Sequence, residues 1–446
     1  MRIQQSSVLR LGLALVLALS MTSIGFESLQ AEQKPTLTMW EWHSTEIPET
    51  MEWVYTTFEE EYGIHIDVET YPWEDVHKKI PMGAEAGTMP DLVEFNANFL
   101  LSSLVAKGSL ANLDSYIEKR GGKEFLDRLK PNSVLKERGH IYSLPLLLWK
   151  HDLIYNTRLF KEKYDPPKNW DELEAIAEKL TDKEKGIYGF GIPGASGETI
   201  LYFANFVAQN DGRLGLPPGS PRVPEEVKIE DIGVNKPKSV EAIKFALNLV
   251  KKYGPPFAGA DSKRIRDLFI AGRIAMYYEG ADAIVFMTHP EMDFRIGTDR
   301  MPIGPVGKLA TVNDYGNCQI GISATSKHKD LAYKFLTFIT SDRVQKKLAE
   351  GSAMVPSVNA ADEALLLSRP RMWPAIESLK ASEPKWKVVP AYRSLPPQLL
   401  AATDIFNTEI QKAYLGRKTV QEAMDTVAQK WEELWSEWRR KYGPSK

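Results

Sequence analysis

The stretch TLTMWEWHSTEIPETMEWVYTTFEEEYGIHIDVETYPWEDVHKKIPMGAEAGTMPDLVEFN, residues 36–96, decides the fold. It opens on Thr36 to Trp42, rich in strand-favouring residues. Pro48 and Glu49 then start a helical run in which Met51, Val54, Tyr55 and Phe58 recur at helical spacing. Ile64 to Tyr71 reads as a second strand, and Trp73 to Ala86 as a second helix with Pro81 placed to interrupt it. Pro90 to Asn96 reads as a third strand, followed by a helix over Phe99 to Lys107. This alternation predicts an α/β chain with a parallel sheet covered on both faces. Ligands of such sheets bind at the carboxyl ends of the strands. By that rule Trp42, His43, Asn96 and Asn98 are the first candidates for a site.

The style repeats downstream. Asp152 to Phe160 reads as a strand turning into a helix that starts near Trp170, where Asn169 and the glutamate three residues on outline a capping box. Residues Gly212 to Pro224, rich in Gly and Pro, form a loop. Helices are expected at Val240 to Tyr253, Ser262 to Ala271 and Lys329 to Ile339, and strands at Arg273 to Gly280 and Ile320 to Ser326. No repeat of 20–50 residues is present, which argues against a solenoid.

At 446 residues the chain exceeds a single core. Its net charge of −3 and its scattered Lys and Arg call for neither nucleic acid nor an anionic membrane. The first 31 residues differ in kind. Arg2 and Arg10 precede the apolar run Leu11 to Leu19, and Ser20, Thr22, Ser23 and Gly25 follow. That is the pattern of a secretory signal peptide, too short for a membrane anchor, with cleavage after Gly25 or Ala31. The one cysteine, Cys318, lies far from that site, so neither a lipid anchor nor an intramolecular disulfide is expected. A mature chain in the periplasm, not embedded in the membrane, follows.

Trp40, Trp42, Trp73, Trp149, Trp373 and Trp386 lie at a strand end or in and near loops. Sugars offer flat C–H faces to aromatic rings and a rim of hydroxyls to Asn, Asp, Glu and Arg. Alternation along a doubly covered strand leaves it open whether Trp40 and Trp42 serve the core or a ligand. Trp431, Leu434, Trp435 and Trp438 recur at helical spacing and read as a packing face. The seven histidines are dispersed without an i, i+4 pair, and GASG at Gly194 to Gly197 lacks the nucleophile-elbow spacing. No metal site, cofactor or catalytic residue is expected, and the chain is read as a non-enzyme.

Several segments together resemble the family 1 extracellular solute-binding proteins, the maltose- and oligosaccharide-binding group. They are GTMPDLVEFN (Gly87 to Asn96), KGSLANLDSYI (Lys107 to Ile117), IYSLPLLLWKHDLIYNTRLF, PPKNWDELEAIAEKLT, FIAGRIAMYYEG (Phe269 to Gly280) and GISATSKHKDLAYKFLTFITSDRVQ. Each is weak alone; in order, over roughly residues 35–440, they are specific for the family and not for the sugar. The resemblance implies a two-lobed, periplasmic-binding-protein-like (type II) fold with a hinge and an interlobe ligand cleft. One lobe would hold 35–148 and 310–352, the other 149–309 and 353–446. It also implies a monomer that delivers a sugar, an oligosaccharide or disaccharide, to the membrane permease subunits of an ABC transporter.

Carried over by position, the family's cleft residues fall on Glu41, Trp42 and His43 after the first strand, and on Asn96 and Asn98 after the third. Trp149 lies at the first crossing, where the family often has a polar ligand. Tyr202 follows the Gly-rich GIPGASGE loop, and Asp282 stands where many relatives have tryptophan. Asp314, Tyr315 and Asn317 precede the strand at Ile320, and Met354 and Arg393 come from late loops. Three rivals stand beside this reading. A polyamine could be held by Glu41, Asp282 and Asp314 against aromatics. A secreted polysaccharide-active enzyme would place two carboxylates across the cleft. An adhesive protein would have no closed state.

Overall fold

The computed structural model describes residues 34–443 except 131–132, 162, 196–198, 218–219, 221–223, 281–295, 307–308, 353, 369–385 and 390–394. Of residues 74, 150, 280, 309–317 and 386–389 it describes the backbone only. The leader and its cleavage site, Trp373, Asp282 and Arg393 lie outside the described residues.

Strand β1 (Thr36–Glu41) pairs in parallel with β2 (His65–Thr70) on one side and with β3 (Leu92–Asn96) on the other. The chain therefore crosses to one side of β1 and back to the other, through the helices Pro48–Tyr62 and Trp73–Ala86. Right-handed crossovers place those helices on opposite faces and make the β1/β3 edge a topological switch point. The second helix runs unbroken through Pro81. Val76 and Ile80, both fully buried, anchor the turn that leads into it, so packing holds a helix whose local sequence opposes it. Trp40 belongs to the core. A Cβ at Gly83 would come within 2.8 Å of its ring, so that glycine lets the helix lie directly on the indole.

A short hairpin of β4 (Lys136–Glu137) and β5 (His140–Ile141) leads into β6 (Ser143–Asn156). Strands β7 (Tyr188–Gly191), β8 (Ile274–Gly280) and β9 (Ile296–Asp299) precede β10 (Leu309–Ile322), and β11 (Val355–Pro356) and β12 (Trp386–Val389) follow it. The sheet order is β2-β1-β3-β10-β6-β8-β7. Two fourteen-residue strands, β6 and β10, join its halves. The first part of β6 pairs with β10 and β11, and its last part, from His151 onward, with β8 and β9. In β10, Leu309 to Val312 pair with β12, whereas Cys318 to Ile322 pair with β3. The register between β6 and β10 shifts between Asp314 and Cys318, a bulge where the two halves meet. Among the described residues no helix is long and apolar enough to cross a membrane.

Local signals are realised with small changes. Asn169 Oδ1 accepts the Glu172 N–H at 2.9 Å, capping the helix Trp170–Leu180. Glu172 reaches back to the Lys168 N–H at 2.7 Å instead of that of Asn169, so the box closes one residue early. The strand expected at Ile320 is the end of the longer β10. The helix Val420–Tyr442 buries Trp431, Trp435 and Trp438 against the helix Leu399–Tyr414.

Candidate functional site

At the carboxyl ends of β1 and β3, a buried polar layer lies under a row of aromatic rings. Glu41 and Glu94 stand side by side, since Trp40 is opposite Val93 and parallel strands advance together. The Glu41 carboxylate accepts from the Ser44 N–H (2.9 Å) and the Thr70 hydroxyl (2.5 Å). Burial raises its pKa above the ordinary carboxylate value, and the neighbouring Glu94 charge adds to the rise. Glu94 accepts the Trp42 N–H at 3.2 Å and bonds His43 Nδ1. Burial disfavours the His43 imidazolium, but Glu94, aided by Cys318, outweighs it and raises its pKa well above the usual value. The other ring nitrogen, Nε2, lies 3.4 Å from the Met354 sulfur. Glu41, Trp42, His43 and Met354 thus meet, and each is nearly or fully buried. The two acids face backbone, hydroxyl and imidazole donors of the protein itself.

Above them the rings run in a row. Trp42 packs on His43 (4.8 Å between centroids) and on His77 (5.2 Å). His77 packs on Trp73 (4.4 Å), and Trp73 meets Phe99 edge-on at 5.6 Å. Trp73 is half-buried. His77 Nδ1 donates to the Trp73 carbonyl (2.6 Å), leaving Nε2 to accept the Asn96 N–H (2.8 Å). Asn96 in turn caps the helix Ala97–Ala106, its Oδ1 accepting the Asn98 N–H at 3.0 Å. A second aromatic group sits on β6. Half-buried Trp149 meets His151 edge-on at 4.4 Å, and His151 packs on Tyr202 at 4.7 Å. Asn205 Nδ2 bonds His151 Nδ1 at 2.9 Å. Tyr202 and Asn205 share the wholly buried helix Thr199–Gln209.

Asp314 pairs with Trp149 across the strands, and Tyr315 and Asn317 fall in the β10 bulge beside it. Of the expected residues that are described, Glu41, Trp42, His43, Asn96, Asn98 and Met354 fall in the first group and Trp149 and Tyr202 in the second, with Asp314, Tyr315 and Asn317 on the bulged strand beside Trp149. Glu94, His77, Cys318, His151 and Asn205 were not singled out from sequence. For Glu94 a signal existed, because a lone carboxylate in the otherwise apolar LVEFN strand must find a buried partner. For His77 and His151 there was none.

Burial holds His77 neutral, with its pKa pushed down to about 4, only partly opposed by the Trp73 carbonyl. Between that value and the unfolded ~6.5, the unfolded chain takes up a proton that the folded chain refuses. Stability present above pH ~6.5 is therefore lost as pH falls toward 4, by roughly 3 kcal/mol in all. Urea unfolding of parent and His77→Gln at several pH values in that window checks this. The variant should lack this part of the slope, and coincident slopes would refute the assignment.

The chain is 27% identical to the maltotriose-binding protein of Pyrococcus abyssi over 327 residues, which cover 71% of this chain. That match spans 65% of the relative's own length, just under two thirds. It is 24% identical to the diacetylchitobiose binding protein of Streptomyces coelicolor over 340 residues, covering 73% of this chain and 74% of that one. An ABC transporter solute binding protein from Thermotoga lettingae, solved bound with alpha-D-tagatose, superposes with a TM-score of 0.76 at 25% identity. That superposition covers 90% of this chain and 100% of the other. The two-lobed α/β fold is thus the type II fold of these binding proteins, and the relatives compared are solute-binding proteins rather than enzymes. The family description "bacterial extracellular solute-binding protein" matches residues 43–346, and the chain belongs to that family.

Proposed function

We propose that this protein is the substrate-binding component of an ABC importer, capturing an oligosaccharide or disaccharide between its lobes and delivering it to membrane permease subunits. The observation that carries the cargo class is the pair of aromatic groups, Trp42–His77–Trp73–Phe99 and Trp149–His151–Tyr202, on either side of the β6/β10 crossing. In these groups half-buried Trp73 and Trp149 offer stacking faces to a sugar, backed by the buried rings behind them, with Asn98, Tyr315, Asn317 and Arg393 as the polar supply. Glu41 and His43 support the wall that carries Trp42, and Asp282, Asp314 and Met354 complete the set. The maltotriose and diacetylchitobiose in the relatives' names support an oligosaccharide, and the tagatose bound in the solved structure supports a sugar more broadly.

The lobes in this reading are 35–148 with 310–352, and 149–309 with 353–446. Val355 and Pro356 of β11 pair with Leu148 and Leu147 of β6. Closure is bending at β6 and β10, the strands shared by both halves. A ligand that touches both lobes only when they are closed selects the closed form. Residues 1–31 are the export signal, removed to leave a monomer in the periplasm that is not lipid-anchored and catalyses no reaction.

A thermal-shift screen of residues 32–446 against mono- and oligosaccharides, polyols and polyamines tests this. A sugar at a hundredfold its Kd should add about 2.7 kcal/mol of stability and be recovered unaltered. Consumption of the sugar would make the protein an enzyme. A response to polyamines alone would overturn the cargo.

A further inference from the structure

We propose that His43, Cys318 and Met354 form a binding site for monovalent copper beneath the aromatic wall. Sheet register creates the juxtaposition. Cys318 on β10 is opposite Asn96 of β3 and Leu147 of β6, so these residues share one face of the sheet with Glu94, two residues before Asn96. Val355 and Pro356 pair with Leu148 and Leu147, which brings the preceding Met354 to the same floor. Its sulfur is 3.4 Å from His43 Nε2. Glu94 holds Nδ1 of that ring, and the Cys318 thiol hydrogen-bonds the same imidazole. The three donor residues are 0%, 3% and 6% exposed.

The donor set names the ion. Two of three donors are sulfur and one is a thioether, which suits soft monovalent copper and is foreign to calcium, magnesium and manganese sites. Among the described residues no three His, Cys, Asp or Glu side chains converge as a metal site, so a harder dication is not offered a complete set here. Bonds of ~2.0 Å to nitrogen and ~2.3 Å to sulfur span the 3.4 Å separation at an open angle, with the ion displaced from the N···S line. Glu94 on the far nitrogen orients the imidazole, as carboxylates do behind metal-bound histidines, and favours a cation on the near one. As the ion binds, the thiol proton and the Nε2 proton of the imidazolium both leave to solvent, freeing one sulfur and one nitrogen lone pair for ligation. Ligation would tie the loop after β1, the crossing strand β10 and the segment before β11 where the halves of the sheet meet.

The test is an anaerobic titration of the purified protein with copper(I) against bicinchoninate. The parent is expected to withdraw one equivalent from the chelator, and Cys318→Ser and Met354→Leu each to weaken that binding at least about tenfold. Met354→Leu nearly conserves volume, so it reports on ligation even if the cysteine variant folds poorly. An absence of withdrawn copper overturns the site. So does an equivalent retained equally by both variants, which would place the copper on other methionines or histidines.

Discussion

Alanine in place of Trp431 is expected to remove about 3–5 kcal/mol of stability. The indole is fully buried between the helices Val420–Tyr442 and Leu399–Tyr414, and its Nε1–H donates to the Ala402 carbonyl at 3.0 Å. Truncation removes the apolar area, leaves a cavity beside Trp435, and takes away that hydrogen bond. The cap does not compensate. Thr419 and Glu422 close a capping box at the helix start (Thr419 N–H to Glu422 Oε2, 2.8 Å), which sets where the helix begins but not what it packs on. Trp438, at 5% exposure and packed at a tilt on Tyr442 near the helix end, should cost less when truncated. Urea unfolding of the two variants checks the order. A loss below about 1 kcal/mol for Trp431→Ala would mean that this helix face is not held by its tryptophans.

The second large effect is expected at Asp362→Ala. The Lys130 ammonium, 3% exposed, is bonded to the Asp362 carboxylate in the interior. Removing the acid takes the Asp362 charge away from a buried cation, at a cost of about 3–5 kcal/mol. The double change Lys130→Met with Asp362→Leu should recover most of this, because a buried pair replaced by well-packed apolar groups is often neutral. Asp362 opens the helix Asp362–Ser368, whose Leu365 packs with Val355, Ile154 and Tyr277. Loosening it therefore acts on the segment seated at the crossing of the two strands. A double variant as unstable as the single one would show that the two groups are not coupled.

The N-terminal α/β alternation, the Asn169 cap and the Trp431 face were legible because each rests on neighbours in sequence. A helix stripe or a cap needs only residues three or four apart. Strand ends pointed to Trp42, His43, Asn96 and Asn98 for the same reason, since the topology of β1 to β3 follows from the order of its elements. The full length of β6 and β10 was not legible. Residues 313–319, NDYGNCQ, look like a loop to any local measure, and only pairing with Lys150, Trp149 and Leu147 makes them strand. Pro81 shows the converse, a local breaker overridden by buried neighbours.

The site divides along the same line. Residue types at strand ends are written in the chain, whereas their partners are not. Glu94 meets His43 across 51 positions, and Met354 meets it across 311. Asn205 meets His151 across 54. Such contacts depend on strand register and on which edge each strand occupies, quantities that no spacing along the chain encodes. By itself the sequence determined the alternation of elements and the chemistry available at their ends. Tertiary structure alone decided which of those side chains meet and which are consumed in satisfying buried charge, because burying a charge requires a partner and only the assembled sheet supplies one.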